Sequence, residues 1–227
     1  MNKYFLISCF SFIILNKVQN MFNKSYINLE LDLSSEVTDH SGRHPLQTIK
    51  KFTDILNNFG INNNSQVVVY DDENSSMAAR LWWMLRLVGI KKCAVLDGGF
   101  KYWTKNKFSV DNLIPKNKAK ENIEYAYNSN YLIDTMSLKK MLLDSDSMYL
   151  VDARDKERFL GRIEPIDKKA GHIPGAINMP FKNNLNQNGT FKNTLDLKKN
   201  FTSIESNNSK AIINMCGSGV TACHNFL

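Results

Sequence analysis

The stretch AIINMCGSGVTACH, residues 211–224, predicts a strand, a loop and the start of a helix in immediate succession. Its first residues are mostly apolar, as in a short buried strand, and Cys216 follows directly. Gly217 and Gly219 then indicate a loop. In a strand–loop–helix of this kind several backbone N–H groups point at one place, where they and the helix dipole stabilise negative charge. We therefore predict that Cys216 is a reactive thiolate nucleophile rather than a structural cysteine.

The segment CGSGVTAC, residues 216–223, resembles the active-site loop of the rhodanese-type sulfurtransferases, in the form typical of 3-mercaptopyruvate sulfurtransferases. The resemblance implies that Cys216 takes a sulfane sulfur from a donor, holds it as a persulfide and passes it to a thiophilic acceptor. The loop residues expected to hold the sulfur-bearing anion are Gly217, Gly219, Val220 and Thr221. Cysteine phosphatases have an arginine six residues after the cysteine, and Ala222 at that place argues against phosphoryl transfer.

Apolar strands and helices alternate along the chain, which predicts an α/β fold of parallel sheets with helices on both faces. The predicted strands are Tyr26–Leu31, Val67–Tyr70, Cys93–Leu96, Met148–Val151 and Ala211–Asn214. Residues 67–83 and 211–227 repeat one order of strand, loop and helix, with Asp71 where the second copy has Cys216. This repeat agrees with the two tandem rhodanese-like domains that the resemblance implies. We expect a non-catalytic domain at 26–108, a linker at 109–129 and a catalytic domain at 130–227.

The first 25 residues form an atypical apolar segment, with twelve largely apolar residues from Tyr4 to Leu15 after Lys3. The run has the length of a signal-peptide core, but no small-residue cleavage site follows it. A weak secretion signal, a buried strand-like element and sequence foreign to the domain all remain open. The third is the preferred interpretation, with Met21 as an alternative start.

A second informative stretch, residues 148–181, contains the motifs VDAR and GHIPGA. We expect Asp152 and Arg154 to form a structural ion pair, although the end of a parallel strand is also where ligands bind. His172, inside GHIPGA, is expected to be structural. In the resembled enzymes the arginine that matches Arg158 binds the donor's carboxylate or sulfonate, for which its planar fork is suited. A second arginine is absent here or replaced by Arg162 or Lys168, so thiosulfate is as serious a donor candidate as 3-mercaptopyruvate.

The resemblance also implies a relay of serine, histidine and aspartate. Ser218 follows the nucleophile by two residues, His44 stands before a Pro-Leu pair, and Asp32 precedes it in sequence. The aspartate would fix the histidine tautomer, and the histidine would move protons to the pyruvate enolate through the serine. Alternatively, His44 and Asp32 are unrelated loop residues.

Composition sets the remaining expectations. The 227 residues are 43% hydrophobic and 22% charged, as in ordinary globular proteins. The net charge of +7 comes from scattered lysines and arginines, which argues against a nucleic-acid or membrane partner. The cysteines lack metal-ligand spacing, so we expect no metal and no cofactor, and a reducing, cytoplasmic location. Expected partners are a small sulfur donor, a cyanide or thiol acceptor and a thioredoxin-like reductant.

Both domains are expected to be incomplete. The chain ends at Leu227, whereas the resembled family continues with the rest of a helix, a strand and a final helix. Unpaired sheet edges would cost stability. The alternative to an active enzyme is therefore a catalytically silent binding or regulatory module of the same fold.

Overall fold

The computed structural model describes residues 4–8, 22–110, 124–143, 148–205 and 210–227. The strands in these ranges are β1 (Tyr4–Ser8), β2 (Phe22–Tyr26), β3 (Gln66–Tyr70), β4 (Cys93–Val95), β5 (Met148–Asp152), β6 (Ile177–Asn178) and β7 (Ala211–Met215). The α-helices are α1 (Ile49–Asn58), α2 (Ser76–Leu87), α3 (Gly99–Lys105), α4 (Thr135–Leu142), α5 (Lys156–Phe159), α6 (Thr194–Glu205) and α7 (Thr221–Phe226).

The first half contains a parallel sheet with the strand order β2-β1-β3-β4. Strand β1 lies inside it, with Phe5 opposite Asn23 on one side and Val67 on the other. This pairing agrees with the strand-like interpretation of Tyr4–Ser8. The preferred interpretation, sequence foreign to the domain, stays a prediction. The first domain begins before residue 26, while residues 9–21, with the alternative start Met21, lie outside the described residues.

The predicted strand Tyr26–Leu31 is also wrong, because β2 ends where that strand was expected to begin. Asn28 explains the difference. Its side-chain oxygen accepts the backbone N–H groups of Glu30 and Leu31, and its carbonyl accepts those of Asp32 and Leu33. Asparagine favours this local turn over a strand ladder, so the chain leaves the sheet after Tyr26.

Helices α1 and α2 cover the first sheet with apolar side chains. The Thr48 hydroxyl caps α1 by accepting the N–H of Lys51, while Phe52 and Leu56 are completely buried. Gly60 follows α1 with a φ of +70°, the left-handed conformation that commonly ends a helix. Strand β4 is only partly covered, because it lies at the edge of the sheet.

The second half contains a parallel sheet with the order β6-β5-β7. Strand β5 is central and mostly buried, with Val151 opposite Ile177 and Asn214. Strand β7 is an edge within the described sheet, where Ile212 is 49% exposed. None of the described helices is both long and apolar enough to cross a bilayer. Most of the expected linker, residues 111–123, lies outside the described residues.

The two halves share one apolar core. Helix α7 packs against α2, and Val220 and Cys223 belong to the same buried cluster as Leu81 and Met84 of α2. Burying apolar surface is the main favourable term in folding, so this joint cluster stabilises the two halves together. It also fixes the position of the loop that precedes α7.

His224 on α7 is a buried histidine in an apolar setting. It is 2% exposed, its ring stacks on Phe191, and Phe181 meets it edge-on. Neither ring nitrogen has a hydrogen-bond partner among the described residues. Burial lowers the pKa of His224 from 6.5 to about 4, so the ring is neutral in the folded protein at neutral pH.

We expect His224 to make stability fall with acidification. Below pH 6.5 the unfolded chain binds a proton at this residue that the folded chain takes up only near pH 4. The resulting loss between these pH values is about 2–3 kcal/mol. His224→Phe keeps an aromatic ring and should flatten the dependence, measured by urea unfolding from pH 4 to 7.

His40 provides the matched control, since it is exposed and His40→Phe alters no buried group. An unchanged acid loss in His224→Phe, equal to that of His40→Phe and the parent chain, would contradict the assignment to His224.

Candidate active site

Cys216 lies directly after β7, at the start of the loop that leads into α7. The backbone N–H of Gly219 donates to the Cys216 sulfur over 3.0 Å. Gly219 has a φ of +75°, a conformation that glycine adopts without strain and that turns this amide back toward the sulfur. The half-buried thiol is therefore held by a main-chain donor, as expected for a site that stabilises a sulfur anion.

The same loop in the first half contains a buried aspartate. Asp71 follows β3, and its buried carboxylate accepts four backbone N–H groups over 2.9–3.2 Å. The donors are Glu73, Ser75, Met77 and Ala78. Asp71 therefore occupies the place that Cys216 has in the second half. The strand–loop–helix of the first half thus directs four backbone N–H groups at the Asp71 carboxylate.

Arg158 lies in a cluster of charged side chains beside the Cys216 loop. Its guanidinium donates through Nε and Nη2 to Glu164 and through Nη2 to Asp167, the latter over 2.7 Å. Arg43, from the first half, donates through Nε to the other Asp167 oxygen over 2.8 Å. The Arg158 side chain thus belongs to the site, and Arg43 is a second arginine there.

Neither residue expected to replace the second arginine does so. Arg162 is exposed and pairs with the exposed Glu157, and Lys168 is exposed. Arg43 is more than a hundred residues from Arg158 in sequence, in the loop before His44. The local sequence does not indicate that the two arginines meet, because Asp167 of the second half joins Arg158 to an arginine of the first half.

Glu164 is fixed in place. Its side chain is 5% exposed, and it accepts the backbone N–H groups of Ile166 and Asp167 as well as Arg158. The hydrogen bond from Arg158 is the largest of the effects that lower the pKa of Glu164 from 4.5 to about 2. Glu164 is therefore ionised across the physiological range and holds Arg158 by a bidentate ion pair.

The expected relay is only partly assembled. His44 Nε2 lies 2.7 Å from the carboxylate of Glu30, not of Asp32, whose side chain accepts the backbone N–H of Asn28. Ser218 is half-buried in the loop, and within the described ranges no hydrogen bond joins it to His44. The turn at Asn28 explains why Glu30 rather than Asp32 meets His44.

Arg80 links His44 to the Cys216 loop by hydrogen bonds to both backbones. This buried side chain of α2 donates to the carbonyl of Gly219 over 3.2 Å and to that of His44 over 3.4 Å. The guanidinium also lies over the ring of Trp83. Arg80 was not predicted from the sequence as part of this site. The feature that could have indicated it is an arginine within a mostly apolar helical stretch.

The remaining motif residues have structural contacts. Arg154 binds Asp152 through Nε and Nη2, and its Nη2 also donates to the carbonyl of Gly171, which fixes the GHIPGA turn. His172 stacks on Phe159 with ring centroids 3.7 Å apart. Val220 is buried in the shared core, and Thr221 begins α7. No group of three or more metal-ligating side chains occurs among the described residues.

Comparison with known proteins agrees with these features. A model of the rhodanese-like domain matches residues 19–106 and 134–226. A Pseudomonas aeruginosa protein named "Probable 3-mercaptopyruvate sulfurtransferase" is 36% identical over 88% of this chain and 71% of its own length. The mouse 3-mercaptopyruvate sulfurtransferase is 35% identical, over 82% and 64%. The crystal structure of SseA from Escherichia coli, described as a 3-mercaptopyruvate sulfotransferase, superposes with a TM-score of 0.78 at 26% identity, over 98% of this chain and 86% of that one.

Proposed function

Because the chain belongs to the rhodanese-like family of sulfurtransferases, we propose that Cys216 is its sulfur carrier. The donor is 3-mercaptopyruvate or thiosulfate, and the acceptor is cyanide or a thiol. The observation that best supports this role is the Gly219 N–H, which lies 3.0 Å from the Cys216 sulfur. A terminal persulfide sulfur is an anion, and main-chain donors of this kind stabilise it.

The reaction has two halves. The Cys216 thiolate attacks the outer sulfur of the donor, and the bond from that sulfur to the donor breaks. The leaving group is sulfite when the donor is thiosulfate. It is the pyruvate enolate when the donor is 3-mercaptopyruvate, and this enolate then takes up a proton. In the second half the acceptor attacks the outer sulfur of the persulfide and restores the thiolate, giving thiocyanate with cyanide or a new persulfide with a thiol. A thioredoxin-like dithiol instead releases the sulfur as hydrogen sulfide and is itself oxidised to a disulfide.

Arg158 is the proposed anchor for the donor's anionic group. Its guanidinium reaches the same surface as the Cys216 loop and already binds the carboxylates of Glu164 and Asp167. A planar guanidinium binds carboxylate and sulfonate groups by two parallel hydrogen bonds. The backbone of Gly217, Gly219, Val220 and Thr221 is the proposed cradle for the transferred sulfur.

The proposed relay is Ser218, His44 and Glu30. Nε2 of His44 lies 2.7 Å from the Glu30 carboxylate, and the buried Nδ1 has no hydrogen-bond partner among the described residues. The carboxylate orients the imidazole, and Nδ1 is the ring nitrogen proposed to exchange the proton. Only the donor that leaves as an enolate needs that proton.

We expect Glu30→Gln to lower turnover of 3-mercaptopyruvate about tenfold and to leave turnover of thiosulfate unchanged, because the orienting carboxylate is lost. Steady-state assays with both donors measure the difference. Asp32→Asn is the matched control, since among the described residues the hydrogen bond to that carboxylate comes from the N–H of Asn28 and not from His44. A selective loss in Asp32→Asn instead of Glu30→Gln would return Asp32 to the relay.

The second candidate is a silent module of the same fold. It is favoured by Arg158, whose guanidinium is already paired with two carboxylates. Mass spectrometry after treatment with thiosulfate or 3-mercaptopyruvate separates the two functions. One added sulfur atom on Cys216, removed by cyanide with release of thiocyanate, supports the enzyme. A folded chain that gains no sulfur from either donor would reject the enzyme.

We also propose a cytoplasmic location, supported by the free thiols of Cys93, Cys216 and Cys223.

A further inference from the structure

Asp167 binds the two arginines that face the Cys216 loop. One carboxylate oxygen accepts Arg43 Nε over 2.8 Å, and the other accepts Arg158 Nη2 over 2.7 Å. The three side chains come from both halves and are only partly exposed. An internal carboxylate therefore occupies the hydrogen-bonding positions that an anionic ligand would use.

This arrangement is in direct contact with the nucleophile's loop. A methyl group placed at Gly217 would lie 2.6 Å from Oδ2 of Asp167 and 2.7 Å from Nη2 of Arg43. Gly217 follows Cys216 in sequence, so a donor that places its sulfur on Cys216 meets Asp167 and Arg43 at once. The contact requires glycine, since any side chain would displace the ion pair.

The charges of the cluster cancel. It contains three arginines and three carboxylates, joined as Arg154 with Asp152, Arg158 with Glu164, and Arg43 with Asp167. An incoming anion therefore finds each of these three arginines already paired with a carboxylate. Asp167 is the member that can yield, because its side chain is 24% exposed, whereas Asp152 and Glu164 are buried against several donors.

We propose that Asp167 is a specificity-determining residue that competes with anionic donors for Arg43 and Arg158. The inference rests on the proposed sulfur transfer at Cys216 and names which donors that site disfavours. Small anions such as thiosulfate and 3-mercaptopyruvate must displace the Asp167 carboxylate or share the arginines with it. An uncharged sulfane donor such as a dialkyl trisulfide has no such competition: the Cys216 thiolate attacks its central sulfur, one S–S bond breaks, an alkanethiolate leaves, and Cys216 carries the remainder as a trisulfide.

The test compares Asp167→Asn with the parent chain for thiosulfate and for an uncharged dialkyl trisulfide. Removing one negative charge beside the bound donor should lower the KM for thiosulfate about three- to tenfold. We expect kcat for thiosulfate and the rate with the trisulfide to stay unchanged. Higher salt should reduce the effect, since it screens the charge. Asp54→Asn removes an exposed carboxylate of α1 and should change neither donor.

A second measurement does not depend on turnover. Sulfate should protect Cys216 from alkylation by iodoacetamide at lower concentration in Asp167→Asn than in the parent chain. If neither the thiosulfate kinetics nor the sulfate protection changes in Asp167→Asn, the inference about Asp167 is overturned. The proposed sulfur transfer at Cys216 is unaffected by that result. An equal fall of KM for both donors would also overturn the inference, because the effect would not depend on the donor's charge. If no donor adds sulfur to Cys216 in either chain, the proposed function fails as well, whereas the sulfate result still reports on Asp167.

Discussion

Cys216→Ser is expected to abolish sulfur transfer, with a loss of at least roughly a thousandfold. Serine is nearly the same size and can still accept the Gly219 N–H, so the fold should be retained. The hydroxyl, however, is a poor nucleophile toward sulfur and forms no persulfide. Thiocyanate release, the mass of the protein after donor treatment and circular dichroism together measure the effect.

The other described cysteines serve as controls. Burial raises the pKa of Cys93 to about 11 and that of Cys223 to about 12, so both remain thiols at neutral pH. Cys93→Ser, at the edge strand β4, should retain full activity. Loss of the sulfur adduct in Cys93→Ser, or its survival in Cys216→Ser, would contradict the assignment of the nucleophile.

Asp152→Ala should have the largest effect on stability, about 3–5 kcal/mol. Asp152 is fully buried and binds the Arg154 guanidinium through both carboxylate oxygens. Removing it leaves the Arg154 guanidinium, 7% exposed, with Glu164 at 3.6 Å as its remaining ion-pair partner among the described residues. Urea unfolding at neutral pH measures the loss.

Two comparisons define this prediction. Asp155→Ala breaks an exposed ion pair with Lys182 and should cost less than about 1 kcal/mol. The double variant Asp152→Ala with Arg154→Met should recover part of the loss, because no charge then remains unpaired in the interior. An Asp152→Ala protein as stable as Asp155→Ala would show that the buried pair is not needed for the fold.

The features predicted correctly from sequence are local ones. The parallel sheets follow from short apolar strands alternating with helices, and the pairing of Asp152 with Arg154 joins residues two positions apart. The equivalence of Asp71 and Cys216 was visible because both stand in the same strand–loop–helix pattern. Each of these signals is contained within a few residues of chain.

The features that the sequence did not predict depend on distant contacts. Strand β1 is an apolar run without periodicity, so the local sequence does not indicate its pairing with β3. Arg43 and Asp167 meet across the two halves, and Glu30 reaches His44 because a turn at Asn28 changes the chain direction. Side-chain charge alone indicates none of these partners.

The shared core also has a consequence for which positions influence the chemistry. Val220 and Cys223, on either side of the loop's junction with α7, pack among side chains of α2, and Arg80 of α2 holds the Gly219 carbonyl. Helix α2 of the first half therefore helps to fix the conformation of the loop that carries Cys216. Substitutions in α2 are expected to change the geometry around the Cys216 sulfur from a distance.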